Sequence, residues 1–329
     1  MIAHILLETG ADPTFLVGGE IRGLEANARR GAGEWLVAEA DEYDRSFLHL
    51  HPEIAVITNV EADHLDIYPS VAEIRSTFLQ FARQVGRQLV LCYDDPWLRE
   101  WGADDVAAGI ERYGLAGGEW CAEDVRLEGE GSAFRLVHTE STTVRLRVPG
   151  RHNVQNAVGA LAAASAAGVP LAAAGEALAT FRGAKRRLEP VGEANGVLVI
   201  DDYSHHPTEI RVALAALRAA YPGRRVVCLH QPHTYSRTKL LLHDFATAFD
   251  DADVVRIADI YPAREQDRWG VSSADLVAAL RHPNVRATGS VEESAAAVAA
   301  EVRPGDVLAL IGAGDINRAA GPILRRLAE

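Results

Sequence analysis

Residues able to do chemistry are densest between Glu39 and Asp66. Glu39, Asp41, Glu42 and Asp44 follow one short apolar run, Trp35–Ala38, and Glu61, Asp63, His64 and Asp66 follow another, Ile54–Val60. Short continuous runs of branched residues read as buried parallel strands, and ligands of open α/β sheets sit beyond the carboxyl ends of such strands. Carboxylates and an imidazole gathered there suit a hard divalent cation holding phosphate oxygens. The alternative is a solvated acidic loop.

A second concentration, Asp201-Asp202-Tyr203-Ser204-His205-His206-Pro207-Thr208-Glu209, leaves a predicted strand and enters a helix with Pro207 in its first turn. Its acids could position a metal-bound nucleotide or an attacking amine, and its imidazoles could stack on a base or bind phosphate. Gln231-Pro232-His233-Thr234-Tyr235-Ser236-Arg237-Thr238 occupies the equivalent place after the next strand. There Arg237 is suited to gripping a carboxylate by paired hydrogen bonds, a surface capping arginine being the alternative.

Gly150-Arg151-His152-Asn153-Val154-Gln155-Asn156 opens a helix, so free N–H groups and carboxamides could meet an anion or nucleoside, or simply form a polar helix start. Arg186 and Arg187 could reach a phosphate or remain solvated. Gly312-Ala313-Gly314-Asp315 is half a dinucleotide fingerprint, without the third glycine and after the last strand, so it is weak as an NAD site. The chain contains no G-x-x-x-x-G-K-[ST] phosphate loop.

These groups need elements to position them. Met1, Ile2, Ile5 and Leu6 keep helical spacing up to Gly10, and Thr14–Val17 reads as a strand before a Gly18-Gly19 turn. Val71–Val85 is an amphipathic helix, Leu89–Cys92 a strand, and Asp94-Asp95-Pro96 a helix start. Between Gly109 and Val148, alternating segments suggest antiparallel strands appended to a parallel sheet. Gly150–Gly168 and Pro170–Phe181 are helices, and the basic stretch Gly183–Leu188 marks a boundary, giving domains 1–186 and 187–329. Beyond it strands and helices alternate from Val197 to Leu327, the pattern of a doubly wound parallel sheet. The fold class is α/β throughout.

With 48% apolar and 24% charged residues the chain is an ordinary globular one. A net charge of −13 argues against nucleic acid or an anionic membrane as partner. Cys92, Cys121 and Cys228 are odd in number, lack metal-ligand spacing and lie in or beside apolar segments, which reads as reduced thiols of a cytosolic protein. No 18-residue apolar run or signal peptide is present.

In order, EADEYDRSFL, TNVEADHLDIY, GRHNVQNA, AKRRLEP, DDYSHHPTEI, QPHTYSRT and GAGDIN resemble the Mur ligases of peptidoglycan synthesis, and the DDYSHHPTE and QPHTYSRT pair resembles the alanine-adding branch. The resemblance implies a central ATPase domain and a C-terminal Rossmann-like domain, preceded in the family by a UDP-binding domain. It implies ATP and Mg2+ as cofactors, and UDP-N-acetylmuramic acid and L-alanine as substrates, joined through an acyl phosphate. By motif position Glu39 and His64 would be magnesium ligands, and Glu42 would contact substrate. Asn153, Asn156 and Arg187 would contact ATP, Asp202 would serve the nucleotide or its metal, and His206 would lie near the adenine. Tyr203, His233 and Arg237 would shape the alanine site, with Arg237 on its carboxylate.

The family's phosphate loop, resembling GTHGKTTT, would fall immediately before Met1, so the expectation is a truncated chain or a misplaced start, without ligase activity on its own and with exposed sheet edges prone to aggregation. Two other readings stand beside it: a non-catalytic binding or regulatory remnant, and a relative that recycles muramyl peptides.

Overall fold

Leu89, Val90 and Leu91 are wholly buried at the middle of the first large sheet, as a run of branched residues covered on both faces must be. The computed structural model describes residues 1–329, which divide into two units, Met1–Gly183 and Ala184–Glu329. Ala184, rather than Arg187, opens the second unit.

The first unit begins with α1 (Ile2–Glu8), followed by β1 (Thr14–Ile21), β2 (Ala26–Arg29) and β3 (Leu36–Ala38). These strands make a three-stranded sheet in the order β2-β1-β3, with β1 and β3 parallel. A 3-10 segment, Tyr43–His49, leads to β4 (Ile54–Ile57), α2 (Val71–Ala82), β5 (Gln88–Cys92) and β6 (Gly109–Gly114). Then come β7 (Trp120–Glu128), β8 (Gly131–Val137), β9 (Ser141–Leu146), α3 (Arg151–Ala166) and α4 (Leu171–Leu178). The large sheet runs β4-β5-β6-β7-β8-β9, parallel as far as β7 and antiparallel from there.

Two expectations are corrected here. Trp35–Ala38 is not a buried strand: β3 belongs to the small sheet, pairs with β1 alone, and leaves Leu36 64% exposed. Gly18-Gly19 is not a turn either. β1 continues through both glycines to Ile21 with a register shift against β2, and the chain reverses after it. A bulged strand tolerates glycine where a regular one does not.

α3 packs its small residues closely on the sheet. An added Cβ at Gly159 would come within 2.8 Å of the buried Tyr113 ring, so close packing explains the alanine-rich composition.

The second unit contains β10 (Glu189–Ala194), β11 (Val197–Asp202), α5 (Pro207–Ala220), β12 (Val226–His230), α6 (Tyr235–Leu240) and α7 (Leu242–Phe245). It continues with β13 (Val254–Ala258), α8 (Ser273–Ala279), β14 (Val285–Gly289), α9 (Val291–Ala299), β15 (Val307–Ile311) and α10 (Ala320–Ala328). Its sheet order is β10-β11-β15-β12-β13-β14. All pairs are parallel except the β10–β11 edge, which is the doubly wound arrangement expected. The predicted helix Lys239–Phe249 is instead α6 and α7, broken at Leu241. β11 also runs two residues past the apolar stretch, so Asp201 and Asp202 lie inside the sheet.

Candidate active site

In the first unit the two acidic stretches do meet, through Glu42. Its Oε1 lies 3.2 Å from His64 Nε2, with Asp63 Oδ2 at 3.8 Å from the same nitrogen. The Tyr43 ring stands edge-on to His64 at 5.2 Å, and Tyr68 donates to the Glu42 carbonyl at 2.6 Å. The hydrogen bond from His64 holds the Glu42 carboxyl below its ordinary pKa despite burial. Asp44, Arg45 and His64 all occupy the left-handed backbone region, a conformation kept where surrounding structure over-determines it.

Glu39 is placed separately. Its Oε2 accepts the Gly18 N–H at 2.8 Å, and a Cβ at residue 18 would press on Oε1 at 3.2 Å. No three His, Cys, Asp or Glu side chains converge as a preformed metal cage. Magnesium is commonly held by one or two carboxylates plus substrate phosphates, so exposed Glu39 suits that donor chemistry without a closed cage.

The α3 start is anchored rather than free: Asn153 Nδ2 donates to the Pro149 carbonyl at 2.7 Å, and Gln155 Nε2 donates to Asp94 Oδ2 at 2.7 Å. Asn156 is exposed one residue further on.

In the second unit the carboxyl ends of β11, β12 and β13 carry a row of rings. Tyr203 meets His205 at 5.7 Å, His205 meets His233 at 5.6 Å, and His233 stacks on Tyr261 at 5.6 Å with the planes 12° apart. Arg186 and Arg187 lie over the Tyr203 ring, at 4.8 and 5.7 Å from its centroid. Arg237 Nη1 donates to the His233 carbonyl at 2.9 Å and lies 3.2 Å from His233 Nδ1. Burial, then the charges of His205 and Arg237, push the His233 pKa down to about 4, so it is neutral at pH 7.

Asp202 is buried and both its oxygens are taken, Oδ2 by Leu188 N–H at 2.8 Å and Oδ1 by Ser204 N–H at 2.9 Å. It therefore shapes the loop rather than presenting a free carboxylate. Asp201 pairs with Arg186 at 3.2 Å, yet burial raises its pKa to about 6. His206 caps α5 by accepting the Thr208 N–H at 3.3 Å. Arg187 is half-exposed and 3.7 Å from Glu209.

Two participants, Tyr261 and Glu265, were not singled out in the sequence, and Gln231 was named there only as part of a motif. Gln231 staples two loops, donating to Asp315 Oδ1 at 2.8 Å and accepting Ile316 N–H at 3.0 Å. Tyr261 and Glu265 belong to the loop after β13, where Glu265 accepts from Thr234 Oγ1 at 2.9 Å and Ser236 N–H at 2.9 Å. Their signal was positional: they follow the carboxyl end of a parallel strand beside the two already chosen.

The Mur ligase middle domain family matches residues 3–164, and the Mur ligase glutamate ligase domain family matches residues 186–314. A UDP-N-acetylmuramate–L-alanine ligase of Roseiflexus castenholzii is 43% identical over 350 residues, covering 100% of this chain and 74% of that relative. One from Geobacter sp. strain M21 is 41% identical, covering 99% and 72%. Among solved structures, a UDP-N-acetylmuramate-alanine ligase of Thermotoga maritima superposes with a TM-score of 0.80 at 27% identity, over 99% of this chain and 71% of that one. A MurF ligase from the same organism, solved in complex with ADP, shares the fold with a TM-score of 0.75 at 19% identity, over 99% and 76%.

Proposed function

This chain belongs to the Mur ligase family, whose members form carbon–nitrogen bonds, and we propose that it serves the ATP-dependent joining of L-alanine to UDP-N-acetylmuramic acid in the cytoplasm. The observation that carries this reading is Arg237, pinned by His233 at the end of β12 and flanked by a row of rings. A guanidinium so held matches a planar carboxylate. Neutral His233 adds no second positive charge beside Arg237, and partly exposed Tyr203 stands at the outer end of the row of rings.

The chemistry would be carboxylate activation by ATP as an acyl phosphate, attack by the alanine amine, and collapse of the tetrahedral adduct with loss of phosphate. Glu39 and His64 would hold magnesium, which when bound neutralises phosphate charge. Glu42, paired with His64, would stand toward substrate. Asn153, Asn156 and Arg187 would contact ATP, His206 would lie near the adenine, and Asp202 would act through the Leu188 and Ser204 amides it fixes.

The chain carries no glycine-rich lysine loop, whose cation neutralises the β/γ-phosphates in such sites.

Calorimetric titration with L-alanine tests the reading, with D-alanine and a muramyl tripeptide as comparisons. Saturable L-alanine binding, lost in Arg237→Ala, is expected; preference for the tripeptide would replace this reading with the peptide-recycling one. Alanine-dependent phosphate release, assayed with ATP, magnesium and UDP-N-acetylmuramic acid, reports separately on turnover.

A further inference from the structure

α6 begins without a cap of its own. Thr234 stands at the N-cap position, but its hydroxyl makes no capping bond to the helix. The acceptor comes from another loop. Glu265, between β13 and α8, takes the Ser236 N–H at 2.9 Å on Oε2, and Thr234 Oγ1 at 2.9 Å on Oε1; the Ser236 hydroxyl also donates to Oε1. The two hydroxyls are themselves 3.0 Å apart and buried. Four residues before Glu265, Tyr261 lies against His233 and donates its N–H to the Pro232 carbonyl at 2.9 Å. The segment carrying His233 and Arg237 is thus fastened to the β13 loop at both ends.

We propose that Glu265 is a positioning residue for the amino-acid carboxylate grip: by fixing Thr234 and Ser236 it sets the first turn of α6 and with it the direction of Arg237. This rests on reading Arg237 as the alanine-carboxylate group. A local serine or aspartate cap would fix the helix start without reference to any other loop. An imported carboxylate makes the grip depend on the β13–α8 loop. Burial opposes the charge on Glu265, but the Ser236 and Thr234 hydrogen bonds outweigh it and keep the group ionised, which strengthens each bond.

The test uses the full chain with 13C-labelled histidine, comparing wild type, Glu265→Gln, Glu265→Ala and Ser236→Ala. Glutamine keeps the shape and one acceptor, so L-alanine affinity should fall about tenfold, and further with alanine. His233 ring signals should move away from their Tyr261-shielded positions while His282 signals stay. His233 signals and affinity unchanged in Glu265→Gln would overturn the proposal, as would equal displacement of every histidine. If the Glu265 variants do not fold, Ser236→Ala decides by the same His233 signals: movement supports the proposal and none overturns it. If wild type binds no alanine, the functional reading fails, and the His233 signals still decide whether Glu265 positions this segment.

Discussion

The imidazoles of His205 and His233 stand 5.6 Å apart at an interplanar angle of 62°, each carried by the loop after a different parallel strand. Burial, and then the neighbouring His205, disfavour a charge on His233, and the consequence is a dependence of stability on pH. His233 titrates at about 4 through burial and the neighbouring charges, and wholly buried His230 at about 3 through burial. The unfolded chain titrates both near the model-peptide value of about 6.5. Between pH 6.5 and 4 the unfolded state holds more protons, so stability falls as pH is lowered through that window. Asp201, raised to about 6 by burial, acts in the opposite sense down to the ordinary aspartate value of about 3.9. Asp201→Asn should therefore lose urea stability more steeply than wild type between pH 6 and 4. A shallower slope in the variant would contradict the assignment.

Arg256 is 4% exposed and bound to Glu301, with Nε to Oε2 at 2.8 Å, while Nη2 donates to Asn284 Oδ1 at 3.1 Å. Removing only the guanidinium strands polar groups at the edge of the β13 region. Arg256→Ala should cost about 3 kcal/mol of stability, and Arg256→Met with Glu301→Leu markedly less. Denaturant midpoints of the two variants check this; equal losses would refute it.

Gly159 sits in α3, where alanine is ordinarily favoured by about 1 kcal/mol. Here the added methyl would meet the Tyr113 ring at 2.8 to 3.1 Å, and that ring is 1% exposed. Overpacking should win, so Gly159→Ala lowers stability by about 1–3 kcal/mol. Thermal unfolding of this variant and of Gly159→Ala with Tyr113→Leu tests the cause, because trimming the ring should restore most of the loss.

Leu36 is 64% exposed on β3, a strand with one neighbour. Such edges invite pairing with other chains. Leu36→Lys should raise the concentration at which light scattering sets in, leaving the melting temperature within about a degree, as surface changes usually do. A lysine variant that aggregates as readily would show that this edge is not the cause.

What the sequence made legible follows from burial. β5, β12, β13 and β15 are continuous branched runs covered on both faces, and each stands where its composition puts it. β10 was invisible because Glu-Pro-Val-Gly-Glu-Ala has no strand composition; its pairing with β11 makes it a strand. β2, largely exposed at the margin of the small sheet, hid for the same reason. Tyr203, His233 and Arg237 are selected because strand ends gather ligands, and the rings of Tyr203 and His233 lie in one row with Arg237 bonded to His233. That Glu42 would reach His64 while Glu39 turns to the Gly18 N–H could not be read from spacing.

β15 lies between β11 and β12, although it is the last strand in chain order. Asp202 and His230 are both in register with its Ile311, one on each side. The loops bearing Tyr203 and His233 thus acquire their spacing from a wedge that the ribosome delivers after every other strand. During synthesis the spacing of these two loops waits on that wedge, and a nascent chain stopped short of Val307 carries Tyr203 and His233 without the strand that sets them apart.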